Sequence, residues 1–193
     1  MSRSIAIRWH SRAGQGAITV ANALAEFLGR AGKYVQSFPE YGAEKRGAPV
    51  LVFNRISNSP IVAVGKPTSV DCVVLLDSSL IASHELTASE VLSGLSVDGK
   101  LLVNTSQEHL TFASEVANVY TLDASTIAVE CIGKNIPNVP ILGALVAISE
   151  LGDEEGVKKE LEEYLAGSLP PALVAGNLTA FTRGYREVKK VTN

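Results

Sequence analysis

The chain reads as an α/β protein, a single three-layer α/β/α domain over residues 1–193 with a mixed, mostly parallel sheet. Three observations carry that expectation. Strand-like and helix-like patterning alternate along the whole length. The 193 residues suffice for one well-buried core and are few for two full domains. No linker, internal repeat or low-complexity stretch interrupts them.

The first strand is announced by Ile5, Ile7 and Trp9 alternating with Ala6 and Arg8. It runs through His10-Ser11-Arg12-Ala13-Gly14-Gln15-Gly16 into a helix over residues 17–28, with Ala17, Val20, Ala21, Leu24 and Leu28 on one stripe. Gly29 and Gly32 are expected to stop that helix. Residues 34–38 form the second strand and 50–56 the third. The turn signal Ser57-Asn58-Ser59-Pro60 then leads to a short strand at 61–64, so the pair reads as a hairpin and makes the sheet mixed. The unbroken apolar run 72–76 suits a strand covered on both faces.

The second half continues the alternation. A helix is expected over 87–95, a strand over 100–103 ending at Asn104, and another strand over 119–122. Helices follow at 125–132, 141–151, 154–165 and 172–188. The last carries Val174, Leu178, Phe181, Tyr185 and Val188 at spacings of three and four.

Composition narrows the function classes. A net charge of −3 argues against a broad nucleic-acid or membrane footprint. Two cysteines, Cys72 and Cys131, lie far apart in apolar runs, so buried packing is the expected role of each. Neither has a second cysteine at ligand spacing, so the chain alone holds neither an iron–sulfur cluster nor zinc. With no signal-peptide pattern and no apolar run of membrane length, a cytoplasmic location is expected.

Strand, glycine loop and helix together are a device for holding a phosphate, and Arg12 adds a positive charge to it. The dinucleotide fingerprint is incomplete. Its third glycine position holds Thr19, and the ribose-binding acid is missing around Gln36, Ser37 and Phe38. No P-loop triplet follows Gly14 either. The segment is therefore either an anion cradle or a tight βα turn.

The second informative segment runs from Phe38 to Pro49 through Glu40, Tyr41, Glu44, Lys45 and Arg46. Loops after the first two strands would meet at the strands' carboxyl ends, letting Arg12, Lys45 and Arg46 converge on one anion. Alternatively, its charges form a solvated, balanced turn. His10 beside the glycine loop is either a donor to a ligand or a polar strand-end residue, and His84 and His109 receive no role. Asp77, Ser78 and Ser79 lack the G-x-S-x-G setting of a hydrolase nucleophile. Asp77 and Asn104 read as caps of the elements that follow them.

Taken together, Arg-Ala-Gly-Gln-Gly-Ala at 12–17, Phe-Pro-Glu-Tyr-Gly-Ala-Glu-Lys-Arg-Gly-Ala-Pro-Val at 38–50 and Phe-Asn-Arg-Ile at 53–56 resemble the gamma subunits of 2-oxoacid:ferredoxin oxidoreductases. The pyruvate enzymes (pyruvate synthase) are the nearest group. The resemblance extends through Leu-Leu-Val-Asn-Thr at 101–105, Pro-Asn-Val-Pro-Ile-Leu-Gly-Ala at 137–144 and Asn-Leu-Thr-Ala-Phe-Thr-Arg-Gly-Tyr at 177–185. Two departures are Ala13, where the family commonly has glycine, and Lys45, where arginine is frequent.

The resemblance implies a complex that converts a 2-oxoacid, coenzyme A and oxidised ferredoxin into acyl-CoA, carbon dioxide and reduced ferredoxin. That complex uses thiamine diphosphate with magnesium and 4Fe–4S clusters. This chain would be its non-redox member, inactive alone, with no catalytic residue, bound cofactor or metal of its own. It would assemble with alpha, beta and delta-type subunits, reach ferredoxin through them, and help bind coenzyme A phosphates. Arg12, Gly14, Gln15, Gly16, Lys45 and Arg46 are the residues implied for the phosphates; the alternative for the same residues is an interface surface, with Arg46 anchoring a partner carboxylate. Phe38, Tyr41, Glu44, Gly47, Phe181 and Tyr185 are expected at partner interfaces, and the isolated chain is expected to cover its apolar patch as a homodimer. Specificity for 2-oxoglutarate or another 2-oxoacid, and a stand-alone nucleotide-binding module, are the alternatives.

Overall fold

The computed structural model describes residues 4–41, 47–107 and 109–191. Its strands are β1 (Ile5–Arg12), β2 (Tyr34–Tyr41), β3 (Pro49–Ser57), β4 (Val70–Leu75), β5 (Leu95–Asn104), β6 (Asn118–Leu122) and β7 (Lys189–Val191). They form one seven-stranded sheet in the order β2-β3-β1-β4-β5-β6-β7. β1, β4, β5 and β6 run parallel, while β3 is antiparallel to both β1 and β2, and β7 is antiparallel to β6. The sheet is mixed and parallel at its centre, within a single α/β domain.

The antiparallel element arises differently from the expected hairpin. Residues 61–64 form no strand, and Val62 and Val64 are 88% and 99% exposed. The reason is occupancy: β3 is already paired with β1 on one side and β2 on the other, so no edge is left for the segment. Instead, Arg55 holds it from beneath, donating to the carbonyls of Ala63 (3.2 Å) and Gly65 (3.1 Å). Of the segment 38–49, read as a loop from the sequence, residues 38–41 and Pro49 belong to β2 and β3, with Pro39 opposite Val52 and Tyr41 opposite Val50. Pro39 is tolerated because β2 is an edge strand.

The helices are α1 (Ala17–Arg30), α2 (Ser79–Ala82), α3 (Ala88–Leu92), α4 (Ala124–Ile132), α5 (Asn138–Ile148), α6 (Glu154–Ala166) and α7 (Pro171–Glu187). They divide unequally between the faces. α1 and α4 to α7 pack with Ile7, Trp9, Val74 and Leu102 into the larger core. α2, α3 and a 3₁₀ turn at Thr111–Ala113 cover Val73, Leu75, Leu101 and Val103 on the other. Successive residues of the apolar run in β4 thus enter opposite cores.

Several boundaries move for local reasons. α1 runs past Gly29, and Gly32, at φ 81°, supplies the left-handed exit. α3 is shorter than expected because Leu95 already opens β5, although Thr87 and Glu90 form a full capping box at its start. β7 escaped notice because Lys189 and Lys190 carry no strand pattern; charged residues are what an edge strand wants.

The core of the larger face is α5 against α7. The residues from Asn138 to Val146 are all buried. The two helices touch backbone to backbone: a Cβ on Gly184 would lie 1.9 Å from the Pro140 carbonyl oxygen, and one on Gly143 would lie 2.1 Å from that of Phe181. This packing corrects one expectation. Phe181 has 0% exposure, enclosed in this chain's own core, so it cannot offer a partner contact. Tyr185, one turn on, is half-buried against the same cluster.

Candidate functional site at the carboxyl edge

The site starts from the alternation of β1. Ile7 and Trp9 point into the larger core, and the Trp9 indole donates to Asn54 Oδ1 (2.8 Å), whose amide donates to the Ala21 carbonyl (3.0 Å). That buried bridge fixes β1, β3 and α1 to one another. The even positions Arg8, His10 and Arg12 lean the other way, over the segment from Asp77 to Leu92. Arg8 Nη2 donates to the Val91 carbonyl (2.6 Å) and its Nε to His10 Nε2 (3.1 Å).

His10 is therefore an acceptor inside the protein. Burial, reinforced by the charge of Arg8, pushes its pKa down to about 4, so the ring is neutral at ordinary pH. It is neither exposed nor protonated in the way a phosphate donor needs.

Beyond Arg12 the chain makes a turn that only glycines enter freely. Gly14 (φ 101°) and Gly16 (φ 80°) are both left-handed, and a Cβ on Gly16 would meet Asn138 Nδ2 at 2.3 Å. Ala13 has no such demand, so its departure from glycine is accommodated. Gln15 closes the turn on itself: its Oε1 accepts from the Arg12 amide (2.8 Å) and its Nε2 donates to Asp77 Oδ2 (2.7 Å). α1 then begins at Gly16 with no side-chain cap, and no acidic residue of the helix's own first turn offsets the positive end of its dipole.

Arg12 joins three loops. Its fork meets Glu85 at 2.9 and 2.7 Å, its Nε lies 3.2 Å from Asp77 Oδ2, and its Nη1 donates to the Gly47 carbonyl (3.1 Å). Ser79 Oγ (3.1 Å) and Ser83 Oγ (3.4 Å) complete the set. The Glu85 carboxyl is held below the usual carboxylate range by Arg12 and then by Ser83. The Ala13 amide donates to the Ala48 carbonyl (3.0 Å), so the loops after β1 and before β3 are in direct contact. Asp77 Oδ1 accepts from the Ser79 amide (2.9 Å), and Asn104 accepts from the Ser125 amide (3.2 Å) while donating to the Leu76 carbonyl (2.8 Å). Asp77 thus ties the end of β4 to the α2 that follows it. Asn104 caps no element directly after β5 and instead links β5 to the residue after β4 and to the start of α4, which follows β6.

The expected residues thus fall into groups. Arg12, Gly14, Gln15, Gly16 and Gly47 come together at the carboxyl edge. Glu44, Lys45 and Arg46 lie outside the described residues. Tyr41 is the last residue of β2. Phe38 sits on the same edge strand, opposite Phe53, with the Arg55 guanidinium 5.8 Å over its ring. Glu85, Ser79, Ser83 and Asn138 belong to the cluster and carry no motif of their own except Asn138, which stands in the Pro-Asn-Val-Pro run.

A cavity of about 440 Å³ opens at the opposite end of the sheet, among Lys33, Asp71, Asp98, Lys100 and Glu150. It faces the amino ends of the parallel strands, whereas ligands of open α/β sheets gather at the carboxyl ends. Cys72 lines it, its thiol pushed up to about 12 by burial. Among the described residues, no three His, Cys, Asp or Glu side chains are grouped to hold a metal, and no helix is long and apolar enough to cross a membrane.

Comparison with known proteins matches residues 6–187 to the family model described as pyruvate ferredoxin/flavodoxin oxidoreductase. The chain is 40% identical over 186 residues to pyruvate synthase subunit PorC of Thermotoga maritima, covering 95% of this chain and 94% of that protein. It is 41% identical over 169 residues to the Pyrococcus furiosus protein named pyruvate/ketoisovalerate oxidoreductases common subunit gamma, with 86% and 89% covered. The crystal structure of the pyruvate oxidoreductase subunit PORC from Thermotoga maritima superposes with a TM-score of 0.83 at 39% identity, covering 98% of this chain and 99% of that one.

Proposed function

Because the chain belongs to the pyruvate ferredoxin/flavodoxin oxidoreductase family, we propose that it is the gamma subunit of a 2-oxoacid:ferredoxin oxidoreductase acting on pyruvate. The observation that carries this reading is full-length likeness: 40% identity over 95% of the chain to a protein named as a pyruvate synthase subunit. The reaction of the complex takes a 2-oxoacid, coenzyme A and oxidised ferredoxin to acyl-CoA, carbon dioxide and reduced ferredoxin. Alpha, beta and delta-type subunits are the partners, and thiamine diphosphate, magnesium and the 4Fe–4S clusters reside on them. A cubane cluster needs four thiolates and this chain has two cysteines in all.

The contribution of this chain is to the coenzyme. Arg12 and Gln15 are committed to protein partners. The groups left to meet a phosphate are the backbone of the glycine turn at Gly14 and Gly16, the start of α1, and the cations Lys45 and Arg46 that precede Gly47 in the chain. The choice of 2-oxoacid is made elsewhere in the complex, in keeping with a relative named as common to pyruvate and ketoisovalerate oxidoreductases.

Affinity purification of the tagged chain from its own cells tests the reading. Larger partners should come with it, together with viologen reduction that requires coenzyme A and prefers pyruvate over 2-oxoglutarate. A chain recovered alone, binding a free dinucleotide, would overturn it in favour of a self-sufficient module. The isolated chain should be inactive and should self-associate.

A further inference from the structure

We infer that Arg12 is a positioning residue: with Glu85 and Asp77 it clamps the carboxyl edge into the shape that coenzyme A meets, and it does not itself ligate a phosphate. This rests on the coenzyme A reading above and assigns the cluster its part in it.

Saturation is the first argument. All three guanidinium nitrogens of Arg12 donate to protein acceptors, the two terminal ones to both oxygens of Glu85. That planar fork is the geometry in which an arginine–carboxylate pair is strongest and most directional. Its other acceptors belong to segments far apart in the chain: the Gly47 carbonyl before β3, and Ser79 and Ser83 at either end of α2.

Charge is the second argument. One guanidinium stands between two carboxylates. A phosphate arriving at Arg12 would have to expel Glu85 and then lie beside Asp77 Oδ2, which is 3.2 Å from the Arg12 Nε. Asp77 is itself fixed by Gln15 Nε2 (2.7 Å) and the Ser79 amide (2.9 Å), so it does not swing away freely. Glu85 is likewise braced by Ser83 Oγ (2.8 Å), just after His84 turns the chain at φ 57°. The acidic partners are built in, and an anion site would exclude them. The function left for Arg12 is to hold Gly47, and with it the end of the loop preceding β3, against the glycine turn.

The two roles differ in sign when Glu85 is neutralised. In the purified complex, Glu85→Gln should raise the KM for coenzyme A about fivefold or more, since half of the fork is weakened. kcat should change less than KM, and the decarboxylation half-reaction run without coenzyme A should be nearly unaffected. Arg12→Lys should behave like Glu85→Gln, because a point charge does not replace the fork. A lower KM in Glu85→Gln, as Arg12 is freed for a phosphate, would overturn the clamp. An unchanged KM in that variant would overturn it equally. Lys45→Ala and Arg46→Ala separate the two readings: unchanged KM for coenzyme A there removes the coenzyme role from the loop, whereas a raised KM there with no response to Glu85→Gln removes only the clamp.

Discussion

Arg8, His10 and Arg12 stand on the same face of one strand and do three different things, because their depth and partners differ. Arg8 is buried and bonded to a carbonyl and an imidazole, His10 is buried and uncharged, and Arg12 reaches the rim among carboxylates. The pH response of His10 follows with its sign. Its folded pKa, about 4, lies below the ordinary 6.5, so the unfolded chain takes up the proton first as pH falls. The stability this group contributes is complete above pH 6.5 and is lost between 6.5 and about 4, to the extent of about 3 kcal/mol. Urea unfolding of the wild type across that window should show the decline, and His10→Gln should flatten it. Gly16→Ala is the matching backbone test. It forces a side chain into φ 80° and against Asn138, and should lower stability by about 1–2 kcal/mol while loosening the start of α1. A denaturation midpoint equal to wild type would contradict that account.

Among the elements, α5 and α7 set the thickness of the larger layer. Their contact is made by glycines, so it tolerates no added volume. Gly184→Ala would drive a methyl into the Pro140 carbonyl and is expected to cost about 3 kcal/mol or more, seen as a lower Tm with unchanged secondary structure. Phe181→Ala empties the same core and should cost about 3–5 kcal/mol. If it instead weakened assembly with no loss in Tm, the assignment of Phe181 to the core would fail. The segment 61–64 shows the opposite situation: strand-like residues with no strand to pair with, held by one arginine.

At the scale of the molecule, the two faces are unequal, with long helices on one and short ones on the other. The polar cluster lies where the loops after β1 and β4 meet the chain entering β3. The isolated chain exposes Val62 and Val64 close together, so sedimentation velocity should show concentration-dependent self-association. Val62→Glu combined with Val64→Lys should reduce it, and a clean monomer of wild type at high concentration would rule it out. Co-purified with its partners, the chain should no longer self-associate.

The class of fold, the glycine turn and most helices were legible in the chain order because they depend on local periodicity and on residues that admit few backbone shapes. Ile7 and Trp9 alternate because β1 has one apolar face, and Gly14 and Gly16 mark the turn because nothing else fits those φ values easily. Pairing was not legible. Whether 61–64 became a strand depended on β3 having both edges occupied by β1 and β2, a fact that no property of those residues contains. The partners of Arg12 were hidden for the same reason: Glu85 lies 73 positions away in sequence and belongs to no pattern. Local chemistry names the turn and the charges at its rim. Which charge meets which is decided only when strands distant in sequence are laid side by side, because an ion pair is made by distance in space.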